Sequence, residues 1–521
     1  MSLSRAEQRR SADARDVAAP RLWPLAVVAA LVTALGLTGV VPRWPGLPQL
    51  VALPPVDLFT DLRLLLTGAT SVPAFLLLVT LVVGLRIAVL AMMLGGLTRD
   101  RLLMAARFYG IVFLPLLLAA QLSYVAFAVL YARLFWFTLA GLALLVITIG
   151  ALPWQGSTRL RSAFRQSWRA GMRIGVLLAY TVVLIAIGIV AETWPGLAVP
   201  LIPVSAAATA TTIRQLARRP RGAPTTQLAL CAIAIVGAGA AVATTREEEL
   251  APLPPPREGS LLVMSGINSA SGDGRVFHIP PERYGLTCDQ LYYFSYAGPG
   301  DGQPRGAARC PIRTGAPFIA KDTRRPMAEQ AATLAAQVRD LPRPLMVMGH
   351  SHSAWVAWMA VAGGSAPEVD VLILIGPLPE SIQGYPPPGE SGLGRVAGDL
   401  LRLMAPLSMG FNFDPDAPAS LETLADPGAP ARIFASPLPA GVRAISLTAA
   451  TDLVLLPSGW RLPVEYNACP VRADHPTLPT AEAVYREVNR FLDGKPPAPC
   501  PVWRAWGALM SRPFGAPPAG P

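Results

Sequence analysis

Ser351 lies in the segment Gly349–His350–Ser351–His352–Ser353, a serine with a small residue two positions away on either side. A serine hydroxyl attacks an acyl carbonyl only when a base takes its proton and an acid orients that base. Histidine is scarce here: the chain has four, His278, His350, His352 and His475. His350 and His352 flank the serine and are expected to point away from the place its base must occupy. Their i, i+2 spacing offers no third ligand, so a metal pair is not expected, nor any other cofactor. Carboxylates that an imidazole could use are Asp452, Asp474 and Glu380. Asp452, in Thr451–Asp452–Leu453–Val454, also suits a plain turn.

The surrounding pattern supplies a scaffold. Residues 260–265 (SLLVMS) read as a buried strand running into Gly266–Ile267–Asn268–Ser269, and Gln290–Ala297 as a second strand. Pro326–Asp340 has helical apolar spacing. Pro344–Met348 is a strand that ends at the Ser351 segment, and Ala354–Gly363 a helix. Val369–Ile375 and Val442–Leu447 are further strands, and Ala481–Leu492 is an amphipathic helix. Strands alternating with helices argue a mostly parallel sheet with helices on both faces.

Strand, G-x-S-x-S, helix: that order resembles the nucleophile elbow of the α/β-hydrolase superfamily, usually written G-x-S-x-G, with Ser353 in place of the last glycine. The resemblance covers about residues 260–495, and the stretches FSYAGPG and KDTRRPMAEQAATLAAQV are similar to bacterial esterases and lipases. It implies the chain order serine, acid, histidine. Asp452, directly after the strand Val442–Leu447, matches the acid, and His475 the late histidine, with Glu380 and Asp474 as alternative acids. It implies that His475 takes the proton of Ser351, that Asp452 orients the imidazole, and that the backbone N–H groups of His352 and Ile267 meet the oxyanion. Residues 377–440 fall where this family inserts a cap. The apolar face of a helix near Gly394–Met409 (Leu400, Leu401, Met404, Leu407, Met409) suits an acyl chain, or equally packing on the sheet.

The first half is of another kind. Of 521 residues 52% are hydrophobic and 15% charged, with mean hydropathy +0.43. Residues 1–245 carry 21 basic and 7 acidic groups, residues 246–521 carry 23 and 26, so the net charge of +11 comes from the first part. Its arginines stand between apolar runs, which suits the positive-inside rule rather than nucleic acid. Seven runs approach the roughly 20 apolar residues of a span: Leu22–Val41, Val72–Leu97, Phe108–Tyr131, Phe135–Pro153, Ile174–Ala191, Leu197–Ile213 and Gln227–Thr244. Arginine-rich segments (the N-terminal arm, Thr98–Arg107, Trp154–Arg173, Arg214–Arg221) alternate with the poorly basic 42–71, the stub at Arg133 and the Glu192–Pro195 turn. Seven spans then put the N-terminus in the cytoplasm and residue 246 outside. Arg86, inside a run, is expected to pair within the bundle or snorkel, with no intramembrane carboxylate in view. The bundle resembles no recognised family.

The expected organisation is a cytoplasmic arm 1–21, a transmembrane all-α bundle 22–245, a charged, Pro-rich linker 246–259, an α/β-hydrolase domain 260–495 and a tail 496–521 with an interfacial patch at Trp503 and Trp506. Cys288, Cys310, Cys469 and Cys500 permit two disulfides outside the cytoplasm. Cys288–Cys310 and Cys469–Cys500 would close local loops, but the sequence leaves the connectivity open. The function expected is a serine hydrolase of the carboxylesterase or lipase kind in a bacterial-type inner membrane. Its partners are membrane lipids and a lipid-derived ester or thioester; protein partners stay open. The rivals are an acyltransferase using the same residues and a non-catalytic sensor or transport module.

Overall fold

A helix rises 1.5 Å per residue, so a bilayer core about 30 Å thick selects long apolar helices. In the computed structural model the first half is helical: α1 (Trp23–Leu37), α2 (Val56–Gly68), α3 (Val72–Met93), α4 (Arg99–Ala128), α5 (Ala132–Ile149), α6 (Leu160–Arg169), α7 (Ile174–Thr193) and α8 (Leu201–Ala217). Among the described residues, four helices are long and apolar enough to cross a membrane: α3, α4, α5 with its continuation to Gln155, and Gly171–Thr193, which contains α7. The chain is in this sense a membrane protein. α1 and α8, of 15 and 17 residues, are shorter and pack against each other. The structure describes residues 20–218, 250–300, 307–313, 315–380, 383–407, 413–456, 459–501 and 515–518. Most of the N-terminal arm, the run Gln227–Thr244 and the Trp503 and Trp506 patch lie outside the described residues.

Residues 42–71, expected as a connecting loop, instead form a 3-10 turn (Leu47–Val51) and α2, both largely buried. Three charged residues in α2, Asp57, Asp61 and Arg63, lower its hydropathy, and they are buried too. Asp61 takes Arg86 of α3 in a two-pronged ion pair, Nε to Oδ2 at 2.7 Å and Nη2 to Oδ1 at 2.9 Å. Arg86 also donates to the Leu50 carbonyl at 2.8 Å and lies 3.5 Å from Asp57, which accepts from the Tyr109 hydroxyl at 2.8 Å. The expectation that Arg86 lacks a carboxylate partner is therefore corrected. The pairing groups come from the segment read as loop.

The second half builds one six-stranded, all-parallel sheet in the order β2-β1-β3-β4-β5-β6: β1 Ser260–Met264, β2 Leu291–Tyr293, β3 Leu345–His350, β4 Val369–Ile375, β5 Arg443–Leu447 and β6 Tyr466–Asn467. β1, β4 and β5 are almost wholly buried, as continuous apolar runs require. The order reverses between β1 and β3, and in open parallel sheets ligands bind at such a switch point, beyond the carboxyl ends of the strands. Among the described residues this half also has helices α9 (Met327–Val338), α10 (His352–Ala362), α11 (Arg395–Met404), α12 (Pro418–Thr423), α13 (Ala429–Ala435) and α14 (Glu482–Leu492). Disulfides join Cys288 to Cys310 and Cys469 to Cys500.

The halves interlock. Ala126 and Phe127 at the end of α4, Leu130 in the following turn, and Ala132 and Phe135 of α5 are buried in the same core as the sheet. Conversely Val396, Ala397 and Leu401 of α11 are buried among the membrane helices. Gly394 N–H donates to Thr67 O at 2.8 Å and Gln121 Nε2 to Ala397 O at 2.8 Å. Of the apolar face expected to take an acyl chain or the sheet, Leu400 and Leu401 pack on the membrane half, and Met409 lies outside the described residues.

Candidate active site

Ser351 occupies the turn between β3 and α10 with φ 59° and ψ −127°, a left-handed backbone that a non-glycine residue adopts only when its surroundings fix it. Its N–H donates to Ile375 O at the end of β4, 2.8 Å away. Close packing sets the residue types around it. A Cβ on Gly349 would lie 2.7 Å from Ala354 Cα, and one on Gly266 only 3.1 Å from Ser351 Cβ. Ser353, where the elbow pattern has glycine, accepts from His350 N–H at 2.8 Å and donates to Met264 O at 3.0 Å, which fastens the turn to β1.

His475 stands with Ser351 on the wall of one cavity of about 310 Å³. Its Nδ1 lies 2.7 Å from Oδ2 of Asp452, a carboxylate with no exposure, on the turn after β5. A carboxylate oxygen can only accept, so Nδ1 carries the hydrogen and Nε2 is left as the basic nitrogen of the neutral ring. The two other acids are engaged elsewhere. Asp474 pairs with Arg133 Nη2 at 2.6 Å, and the Glu380 carboxylate lies against Gly459, where burial raises its pKa.

Ile267 and His352 line the same cavity, and neither backbone N–H has a hydrogen-bond partner among the described residues. His352 is the first residue of α10, where helix N–H groups are left open. The neighbouring Asn268 is committed: its N–H donates to Thr323 Oγ1 and its Oδ1 accepts from Arg324 Nε, each at 2.8 Å. Its positive φ of 64° bends the loop. The His352 ring is tied back, with Nε2 donating to Gln330 Oε1 at 3.0 Å, because the Gln330 amide nitrogen already donates to Thr323 O and Arg325 O. Burial pushes the His352 pKa down to about 4, so the ring is neutral at pH 7.

Compared with known protein families, curated proteins and solved structures, the chain matches none.

Three contributors were not read from the sequence. His350, expected to point away, braces the base candidate: its Nε2 donates to the His475 carbonyl at 2.9 Å, with the rings 5.1 Å apart. Burial, with repulsion from His475, pushes its pKa down to about 3. Gly376, after the apolar run of β4, leaves room for the His475 ring, and a glycine at that strand end was the available signal. Val129, Leu130 and Tyr131, between α4 and α5, line the cavity although they belong to the membrane half. No local signal couples them to Ser351, over 200 residues away.

Proposed function

We propose that the chain is a membrane-embedded serine hydrolase that cleaves an ester or thioester through an acyl-enzyme on Ser351, and that its second half is an α/β-hydrolase domain. The observation that carries this reading is the joint placement of Ser351 on a strained strand–helix turn and of His475, bound to buried Asp452, on one cavity wall. In the proposed reaction His475 Nε2 takes the hydroxyl proton as Oγ attacks the carbonyl carbon. Asp452 stabilises the imidazolium, and the proton passes to the leaving oxygen or sulfur. Water, activated by the same nitrogen, then releases the acid. The N–H groups of Ile267 and His352 are the proposed oxyanion donors, each worth about 100- to 1,000-fold in turnover.

The proposed topology is seven spans with the N-terminus in the cytoplasm and the catalytic half outside. Pro20 before α1, Leu94 after α3, Arg101 in α4, Pro153 after α5 and Ala217 ending α8 border one small cleft, so these ends meet on a single face. Thr98–Arg107 and Trp154–Arg173 gather there, whereas the α4–α5 turn lies at the sheet. Basic residues on the face away from the sheet support an outside location for the sheet. Two disulfides in the second half agree with an oxidising compartment.

The test is labelling of the detergent-purified protein with a fluorophosphonate probe. Labelling of wild type that disappears in Ser351→Ala and falls strongly in His475→Ala supports the proposal. A well-folded wild type that does not label rejects it and favours a binding module.

A further inference from the structure

Leu130 sits where a helix ends. The Tyr131 N–H reaches back to Ala126 O at 2.9 Å and the Val129 N–H to Val125 O at 2.9 Å, which places Leu130 at the left-handed position that closes α4, with φ 56°. Glycine is the usual residue at that position because a Cβ is strained there. Leucine stands there instead, 3% exposed, with its side chain on the wall of the Ser351 cavity. A strained residue retained at a pocket points to work done by its side chain rather than by its backbone.

The rest of the wall shows what kind of group the cavity accepts. Val129, Trp355, Leu378, Phe413 and Leu424 are apolar, and no Asp, Glu, Lys or Arg side chain lines the cavity among the described residues. A charged acyl group would be stripped of water there without a partner. The volume, about 310 Å³, is at the low end of ligand pockets of roughly 300–1,000 Å³, suited to one chain of limited length rather than a bulky ester. α4 and α5 are each long and apolar enough to cross a membrane, and a turn between two such spans stands at the membrane face, where an apolar ester partitioned into the bilayer would arrive.

Building on the hydrolase reading, we infer that Leu130 is the residue that limits acyl-chain length, and that the substrate is a membrane-resident ester with a single uncharged, apolar acyl chain. The membrane half thereby supplies part of the binding site. On this assignment the side chain bounds the space open to the acyl chain. Shortening it lengthens the space, and enlarging it stops long chains before their carbonyl reaches Ser351.

The experiment measures kcat/KM of the full-length protein in detergent for p-nitrophenyl butyrate, octanoate and laurate, beside fluorophosphonate labelling of the same preparations. Leu130→Trp is expected to lower the long-to-short preference by about tenfold or more, the scale of a methylene misfit in an apolar pocket. Leu130→Gly, which relieves the left-handed backbone but removes a buried side chain, is expected to raise that preference by a similar factor, with labelling of Ser351 as the check that the variant is folded. Labelling of each variant reports whether its Ser351 is folded and reactive. An unchanged chain-length profile in Leu130→Gly, with Ser351 still labelled, overturns the assignment of Leu130 and leaves the hydrolase reading standing. Absence of labelling and ester cleavage in folded wild type overturns the hydrolase reading and this inference with it.

Discussion

A Cβ placed on Gly376 would lie 2.7 Å from Cε1 of His475 and 2.9 Å from its Nδ1, so the imidazole occupies the space a side chain would need. Gly376 also has φ 59°. Gly376→Ala is therefore expected to displace the ring from Asp452 and to lower ester cleavage about 100-fold, the scale of an ångström's misplacement. Gly364, with φ 72° and open space around its missing Cβ, is the control. Gly364→Ala carries similar backbone strain and is expected to leave the rate unchanged, so equal losses in the two variants would assign the effect to strain.

Asp452 is wholly buried, and its carboxylate holds the imidazole of His475. Removing the imidazole leaves a buried carboxylate without that partner. His475→Ala is expected to cost about 2–4 kcal/mol of stability. Adding Asp452→Asn is expected to return part of it, because a neutral amide is cheaper to bury. Thermal unfolding of the single and double variants checks this. A double variant less stable than His475→Ala would contradict it.

The acid side of the stability profile is set in part by His352. Its folded pKa of about 4 lies below the ordinary 6.5, so in the window between them the unfolded chain binds a proton that the native chain does not. Stability is then fully present above about pH 6.5, falls as pH drops through the window, and levels off below about 4. The loss is on the order of 3 kcal/mol. His350, held lower at about 3, acts in the same direction. His352→Gln is expected to flatten the slope of melting temperature against pH between 4 and 6.5, and an unaltered slope would count against this origin.

Arg86 faces both buried carboxylates of α2, 2.7 Å from Asp61 and 3.5 Å from Asp57. Arg86→Met is expected to destabilise the detergent-solubilised protein by about 3–5 kcal/mol, since it strands buried carboxylates. Arg86→Met with Asp61→Asn should recover a measurable part in the same unfolding assay. No recovery would mean that packing, not charge, ties α3 to α2.

What the sequence made legible was local. Continuous apolar runs bounded by proline and glycine marked β1, β3 and β4, and the small residues at 349 and 353 marked the sharp turn that carries Ser351. α2 was hidden because hydropathy counts Asp57, Asp61 and Arg63 as polar whether or not their charges find partners in the fold. β6, two residues long, has no period to detect. The brace from His350 to the His475 carbonyl joins positions 125 apart, and the packing of α11 on the membrane half depends on how the two halves meet. Neither leaves a trace in residue spacing.

The core shared across the α4–α5 turn bears on how such a chain can change over time. A tether touches its cargo at one point and can be exchanged for another tether without consequence. Here Phe127, Leu130 and Phe135 are buried in one core with the sheet, so detaching residues 250–501 would open an apolar hole where those rings and that leucine sit. Grafting the second half onto a foreign anchor would leave the same hole. The two halves are committed to inheritance as a pair, and substitutions in the sheet's core and in the turn between α4 and α5 must be accepted together.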